Sequence, residues 1–194
     1  MANIPDAEIS GDENHIIFNI EKRRIYIFRV IDRDATLEMQ SLLDEFKENG
    51  DATKKDSVPI TIVINSPGGS AFQGLAIYDL LKSSGFKLIT IILGEVASAG
   101  VAISLVGDQR WMHKNAVIHF HAAAFQFENP KERLERFERD IMQKEVRVVE
   151  TLYENIYLAN SKLTRKKLRE LELHEDCLTS DQALKFGLVH KIIS

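Results

Sequence analysis

At 194 residues the chain has room for one domain with a sizeable core, and its 44% hydrophobic and 28% charged content excludes a disordered or fibrous protein. A net charge of −4 argues against general nucleic-acid binding, which needs a basic face. The one cysteine, Cys177, excludes an internal disulfide and a cysteine-rich metal site, and its default reading is a buried structural thiol.

Residues 1–13 carry acids and no apolar run, so they read as a flexible polar segment, not a signal peptide, and residues 14–194 as a single domain. His15 to Ile20 and Arg24 to Val30 are strand candidates around the charged turn Glu21-Lys22-Arg23. Asp34 or Thr36 can cap a helix to about Asn49, with Leu37, Leu42, Leu43 and Phe46 on its inner face. Pro59 to Asn65 reads as a buried strand. The turn Asn65-Ser66-Pro67-Gly68-Gly69-Ser70 then leads into a helix to about Ser84.

A second unit of the same design follows. The β-branched run Leu88 to Leu93 passes through Gly94-Glu95-Val96-Ala97-Ser98-Ala99-Gly100 into a buried helix to Val106. Glu95 and the small residues around it exclude a membrane span over 88–106. Consecutive units of this kind form parallel sheet with right-handed crossovers, which gathers their turns at one edge. Arg110 to His113 and Ala116 to Phe120 are further strands. Asn129-Pro130 opens a long helix to about Leu158, whose stripe of Leu134, Phe137, Ile141, Val148, Leu152 and Ile156 exceeds what one small core covers. Thr164 caps a basic helix to Leu173, read as a solvated face. Thr179-Ser180-Asp181-Gln182 is a capping box for a last helix ended by Gly187, and Leu188 to Ile193 closes as a strand.

A hydroxyl at a strand-to-helix junction sits beside unpaired helix N–H groups, the arrangement a nucleophile needs. Ser98 holds that place; a tight turn packed under a helix is the other reading of the same residues. His119, on the strand after the Ser98 helix, is a plausible base, or a histidine merely satisfied at a strand end, and His121 is its rival two positions on. Gly69 and Ala99 offer N–H groups at the two turns. Glu175 and Asp176 are carboxylates before Cys177-Leu178, or ordinary loop acids. No metal-ligand spacing and no full phosphate-cradling glycine motif occurs, so no cofactor is expected.

Taken together, Asn65-Ser66-Pro67-Gly68-Gly69, Gly74 with Ile77-Tyr78-Asp79, Gly94 to Gly100, Val117-Ile118-His119 and Leu178 to Val189 resemble the Clp protease proteolytic subunit (ClpP) family over residues 24–193. The resemblance implies an α/β protein of the ClpP/crotonase-like fold, built of strand-strand-helix units with a projecting handle helix over about 130–158. It implies a serine endopeptidase working through an acyl-enzyme inside a homo-oligomer of stacked heptamers, in the cytoplasm. Carried over by position, Ser98 is the nucleophile, His119 the base, and Gly69 and Ala99 the oxyanion donors. The family's aspartate falls on Glu175, with Asp176 as the alternative acid. A divergent branch is indicated: Phe120-His121 stands where the family has Gln-Pro, and the acid is a glutamate. The positions matching the family's aromatic docking pocket are Thr61, Val63 and Ser83, which predicts weak docking of an unfoldase. Two other readings are a non-catalytic ring subunit and a crotonase-type acyl-CoA enzyme. The latter uses oxyanion amides without a serine–histidine pair.

Overall fold

The structure is a computed structural model and describes residues 16–48, 58–122 and 136–194. The expected flexible start, the loop at 51–56 and the helix opening at Asn129-Pro130 lie outside these residues.

Strands β1 (Ile17–Asn19) and β2 (Arg24–Ile27) form an antiparallel hairpin. Arg23 takes a positive φ of 50° in its turn and lays its guanidinium over the rings of Phe46 and Phe86. Helix α1 (Arg33–Glu48) buries Ala35, Met39, Leu42, Leu43 and Phe46. Its cap is neither Asp34 nor Thr36: Asp32 Oδ1 accepts the Ala35 N–H at 2.8 Å. Arg29 explains the choice. It is buried, bonds both Asp32 oxygens at 2.7 Å and reaches Glu38 at 3.1 Å, so the Asp32 carboxylate is held at the helix start. With Ala35 and Met39 turned inward, Leu37 lies two positions away on the helical wheel and is 59% exposed, contrary to the expected inner face.

Strand β3 (Ile60–Ser66), helix α2 (Ala71–Ser83), strand β4 (Leu88–Ala97), helix α3 (Ala99–Ser104) and strand β5 (Gln109–His113) form the two strand–turn–helix units and their continuation. Strands β2, β3, β4 and β5 are parallel neighbours, as the spacing predicts. Ser70 caps α2 by accepting from the Gln73 N–H.

The run Leu88 to Leu93 does not stop where the sequence suggests. β4 continues to Ala97 across a register shift: Ile64 faces Ile92, but Ser66 faces Val96. Two residues on β3 thus span four on β4, a bulge at Leu93-Gly94. Gly94 takes φ 71°, and a Cβ there would lie 2.9 Å from Asn65 Oδ1, which instead accepts the Glu95 N–H at 3.1 Å. Beyond the bulge β4 changes partner. Its first half pairs with β5 and its last three residues with β6 (Val117–His119).

Helix α4 (Arg136–Ala159) packs Val149, Tyr153 and Tyr157 inward. Helix α5 (Arg165–His174) is capped by Thr164, and helix α6 (Ser180–Lys185) by a complete Thr179–Gln182 capping box. Between them Cys177–Thr179 forms β7, antiparallel to β6, and β8 (Lys191–Ile193) pairs with β5. Cys177 is exposed on this short edge strand, not buried as expected. Among the described residues no helix is long and apolar enough to cross a membrane, and no cluster of three metal-ligating side chains occurs.

Candidate active site

The turns after β3 and β4 meet. A Cβ on Gly68 would lie 2.6 Å from both Ala97 O and Ser98 Cβ, so only a bare α-carbon allows this approach. The same turn is tied to the α1 loop by Ile31 N–H to Gly68 O at 2.8 Å and Ser70 N–H to Ile31 O at 2.7 Å. Ile31 thereby bridges residues 68 and 70, which leaves the N–H of the intervening Gly69 pointing away from Ile31. Ser66 Oγ, buried, donates to Arg29 O at 2.6 Å and accepts the Gly68 N–H at 3.1 Å, pinning the start of the turn.

Ser98 has φ 52° and ψ −125°. A side chain at positive φ is uncommon, costs about 1–3 kcal/mol and persists only where its surroundings impose it. Here β4 ends at Ala97 and α3 starts at Ala99, so one residue makes the whole turn from strand to helix. Ala99 opens α3, where the first N–H groups have no partner inside the helix. Ser98 Oγ makes no cap hydrogen bond. Its carbonyl accepts from Tyr157 Oη at 3.5 Å, and its N–H donates to His119 O at 3.4 Å. Tyr157 is buried against the Phe120 ring at 5.3 Å, and that burial holds its hydroxyl well above the ordinary phenol range, hence as a donor.

His119 arrives through the change of partner on β4, where it pairs with Ala97 beside Ser98. Its Nε2 lies 3.1 Å from the main-chain oxygen of Glu175. Glu175 closes α5 in the left-handed conformation, φ 52° and ψ 46°, with its N–H turned back to Leu171 and Glu172 carbonyls. Of the two expected acids, Glu175 therefore stands at the imidazole, with its carbonyl and not its carboxylate in contact. Asp176 is engaged by its carbonyl, which accepts the Phe120 N–H at 3.1 Å. The imidazole of His121 has its centroid 6.0 Å from that of His119 and bonds the Ala122 carbonyl.

One carboxylate that was not among the expected acids lies near His119: Glu95 Oε1 is 4.0 Å from Nδ1. A charge set among small residues was visible at Glu95. Its direction was not, because it depends on the Gly94 bulge. Tyr157 was equally hidden, since it lies outside the apolar stripe read on the long helix.

A profile of the Clp protease family matches residues 15–194. Two curated relatives, each described as an ATP-dependent Clp protease proteolytic subunit and both from strains of Dehalococcoides mccartyi, are 27% identical over 97% of this chain and 91% of their own length. A solved ClpP1 point mutant from Listeria monocytogenes superposes with a TM-score of 0.75 at 22% identity, over 90% of this chain and 93% of the other, a likeness of fold. With the two turns, the parallel sheet and the family match in agreement, the chain belongs to the Clp protease family.

Proposed function

We propose that the protein is a serine endopeptidase whose nucleophile is Ser98. The observation that carries the reading is the backbone of Ser98: a hydroxyl held at φ 52° between a strand and a helix, with a histidine on the adjoining strand. The same local economy of strand, strained serine and helix N-terminus presents nucleophiles elsewhere. In this reading Ser98 Oγ attacks the substrate carbonyl while His119 takes its proton. The N–H groups of Gly69 and Ala99 donate to the oxyanion. His119 then protonates the leaving amine, and water hydrolyses the acyl-enzyme. Glu175 bounds the imidazole on the β7 side, and whether its carboxylate or that of Asp176 serves as the acid is measured by comparing Glu175→Gln with Asp176→Asn.

Nε2 must leave the Glu175 carbonyl and turn to Ser98 Oγ for the first step. That contact favours a second reading, a ring subunit that does not cut. A fluorophosphonate separates the two: it labels the wild type and not Ser98→Ala if the proposal holds. Equal labelling of both, or of neither, rejects it. Peptide hydrolysis should fall by several powers of ten in the same variant.

The substrate on this reading is a peptide or unfolded chain, enclosed by a homo-oligomer of stacked heptamers in the cytoplasm. Thr61, Val63 and Ser83 supply no aromatic anchor, so a standard unfoldase docks weakly.

A further inference from the structure

We infer that Ser66 is a positioning residue of the active site, whose buried hydroxyl fixes the direction of the Gly69 N–H and so sets one of the two oxyanion donors. The inference rests on the serine-peptidase reading and adds to it a group that no substrate can touch. Ser66 is the last residue of β3, is 0% exposed, and pairs with Val96, two residues before Ser98. Its hydroxyl has one hydrogen, which goes to Arg29 O at 2.6 Å. The lone pairs are left for the Gly68 N–H at 3.1 Å. Neither role can be exchanged, because Arg29 O only accepts and the amide only donates.

The residues around Ser66 show why the turn needs this hydroxyl. Pro67 has no N–H, so Gly68 carries the first main-chain donor of the turn, and Gly68 is buried. Gly68 and Gly69 take φ 89° and 149°, which glycine enters freely. That freedom also lets the peptide between them rotate, so hydrogen bonds decide its direction. In a trans peptide the C=O and N–H point opposite ways. Gly68 O accepts the Ile31 N–H at 2.8 Å, which aims the Gly69 N–H away from Ile31. Gly68 is thus held at both ends, by Ser66 Oγ at its N–H and by Ile31 at its carbonyl. Both holds are anchored in one segment, residues 29–32, which the Arg29–Asp32 pair keeps folded. When Ser98 Oγ bonds the substrate carbon, the carbonyl electron pair moves onto oxygen, and the Gly69 and Ala99 N–H groups donate to it. Without the Ser66 hydroxyl the buried Gly68 N–H loses its acceptor, which is costly. Rotation of the glycine peptides relieves that cost and turns the Gly69 N–H off the oxyanion.

The test uses the full chain in its native assembly, with Ser66→Ala and Ser66→Cys beside the wild type. The substrates are a small aliphatic p-nitrophenyl ester and its thionoester. Sulfur is larger and a weaker acceptor than oxygen, so the thionoester draws less on the N–H donors. Ser66→Ala should lower kcat for the ester about tenfold or more with KM unchanged, and kcat for the thionoester much less. Ser66→Cys fills the same space with a weak donor and acceptor, so it should follow Ser66→Ala. If Ser66→Ala does not assemble, Ser66→Cys carries the comparison, since it leaves no cavity. An unchanged ester rate overturns the assignment of Ser66 alone. Ester and thionoester rates that fall by the same factor overturn it too, because a merely structural role does not distinguish oxygen from sulfur. So does a Ser66→Cys protein that matches the wild type, since packing alone then suffices. A wild type that hydrolyses neither substrate and takes no fluorophosphonate at Ser98 overturns the peptidase reading, and the positioning role with it.

Discussion

Ser98 is an unusual place for a side chain on energetic grounds alone. A residue at φ 52° and ψ −125° lies in territory that glycine enters freely and alanine does not. If the conformation is imposed by the meeting of the two turns, removing the Cβ should relieve it. Ser98→Gly is therefore expected to be more stable than Ser98→Ala by about 1 kcal/mol, with labelling lost in both. Thermal or denaturant unfolding checks this, and a less stable glycine variant would show that the turn carries no strain. The small residues that surround Ser98 made the position readable from the chain, since they state that something must come close. The backbone conformation itself was unreadable, because it occurs where the Gly68 turn comes close to Ser98 from thirty residues away in sequence. Glu175 shows the same division. Its place beside His119 was expected from the resemblance of Leu178 to Val189 to the family, with Asp176 as the alternative. That it offers a carbonyl follows from the left-handed end of α5, which no local motif announced.

Elements were legible where a cap or period marks them, and misread where a distant contact decides. The Thr164 and Thr179 caps and the Ser70 start were written locally. The start of α1 was not, since buried Arg29 recruits Asp32, and the length of β4 was not, since Asn65 reaches into the Gly94 bulge. The packing of α5 on α4 makes a prediction of its own. Glu172 titrates at about 7 in the folded protein against 4.5 as a free group, raised first by burial and then by Glu150 and Glu154 on the facing helix. A carboxyl whose folded value is raised contributes its stabilisation fully below the unfolded value and loses it as pH rises through the folded one. Wild-type stability should thus fall relative to Glu172→Gln between about pH 4.5 and 7 and run parallel above it. Glu172 is only partly buried, so solvent screening reduces the plateau to about 1 kcal/mol. Melting temperatures across that range, at matched oligomeric state, decide the matter. A constant gap between the two proteins would mean that Glu172 is solvated.

At the scale of the molecule, α4 joins the site to whatever surrounds the protomer. One side of the helix is committed: Tyr153 Oη donates to Ala71 O at 2.8 Å, and Tyr157 Oη reaches Ser98 O, so the helix clasps the start of α2 and the strained turn together. A second stripe remains bare, with Val148 58% exposed and Leu152 and Ile141 close to 40%. Exposed aliphatic residues spaced along one helix face are costly in water and are covered in stable assemblies. If the protomers assemble as rings that stack through this helix, glutamates on the stripe should separate them without touching the clasp. The Val148→Glu, Leu152→Glu double variant is expected to give a smaller species by light scattering than the wild type. Its Ser98 labelling should fall in step, because α4 freed from its neighbours holds Tyr157 and the Ser98 carbonyl less firmly. Tyr157→Phe supplies the control for the coupling: it removes only the hydroxyl, so it should slow labelling while leaving the assembly size unchanged. A double variant of wild-type size would mean that the bare stripe meets no partner. Separated protomers that still label at the wild-type rate would mean that the clasp needs no support from assembly.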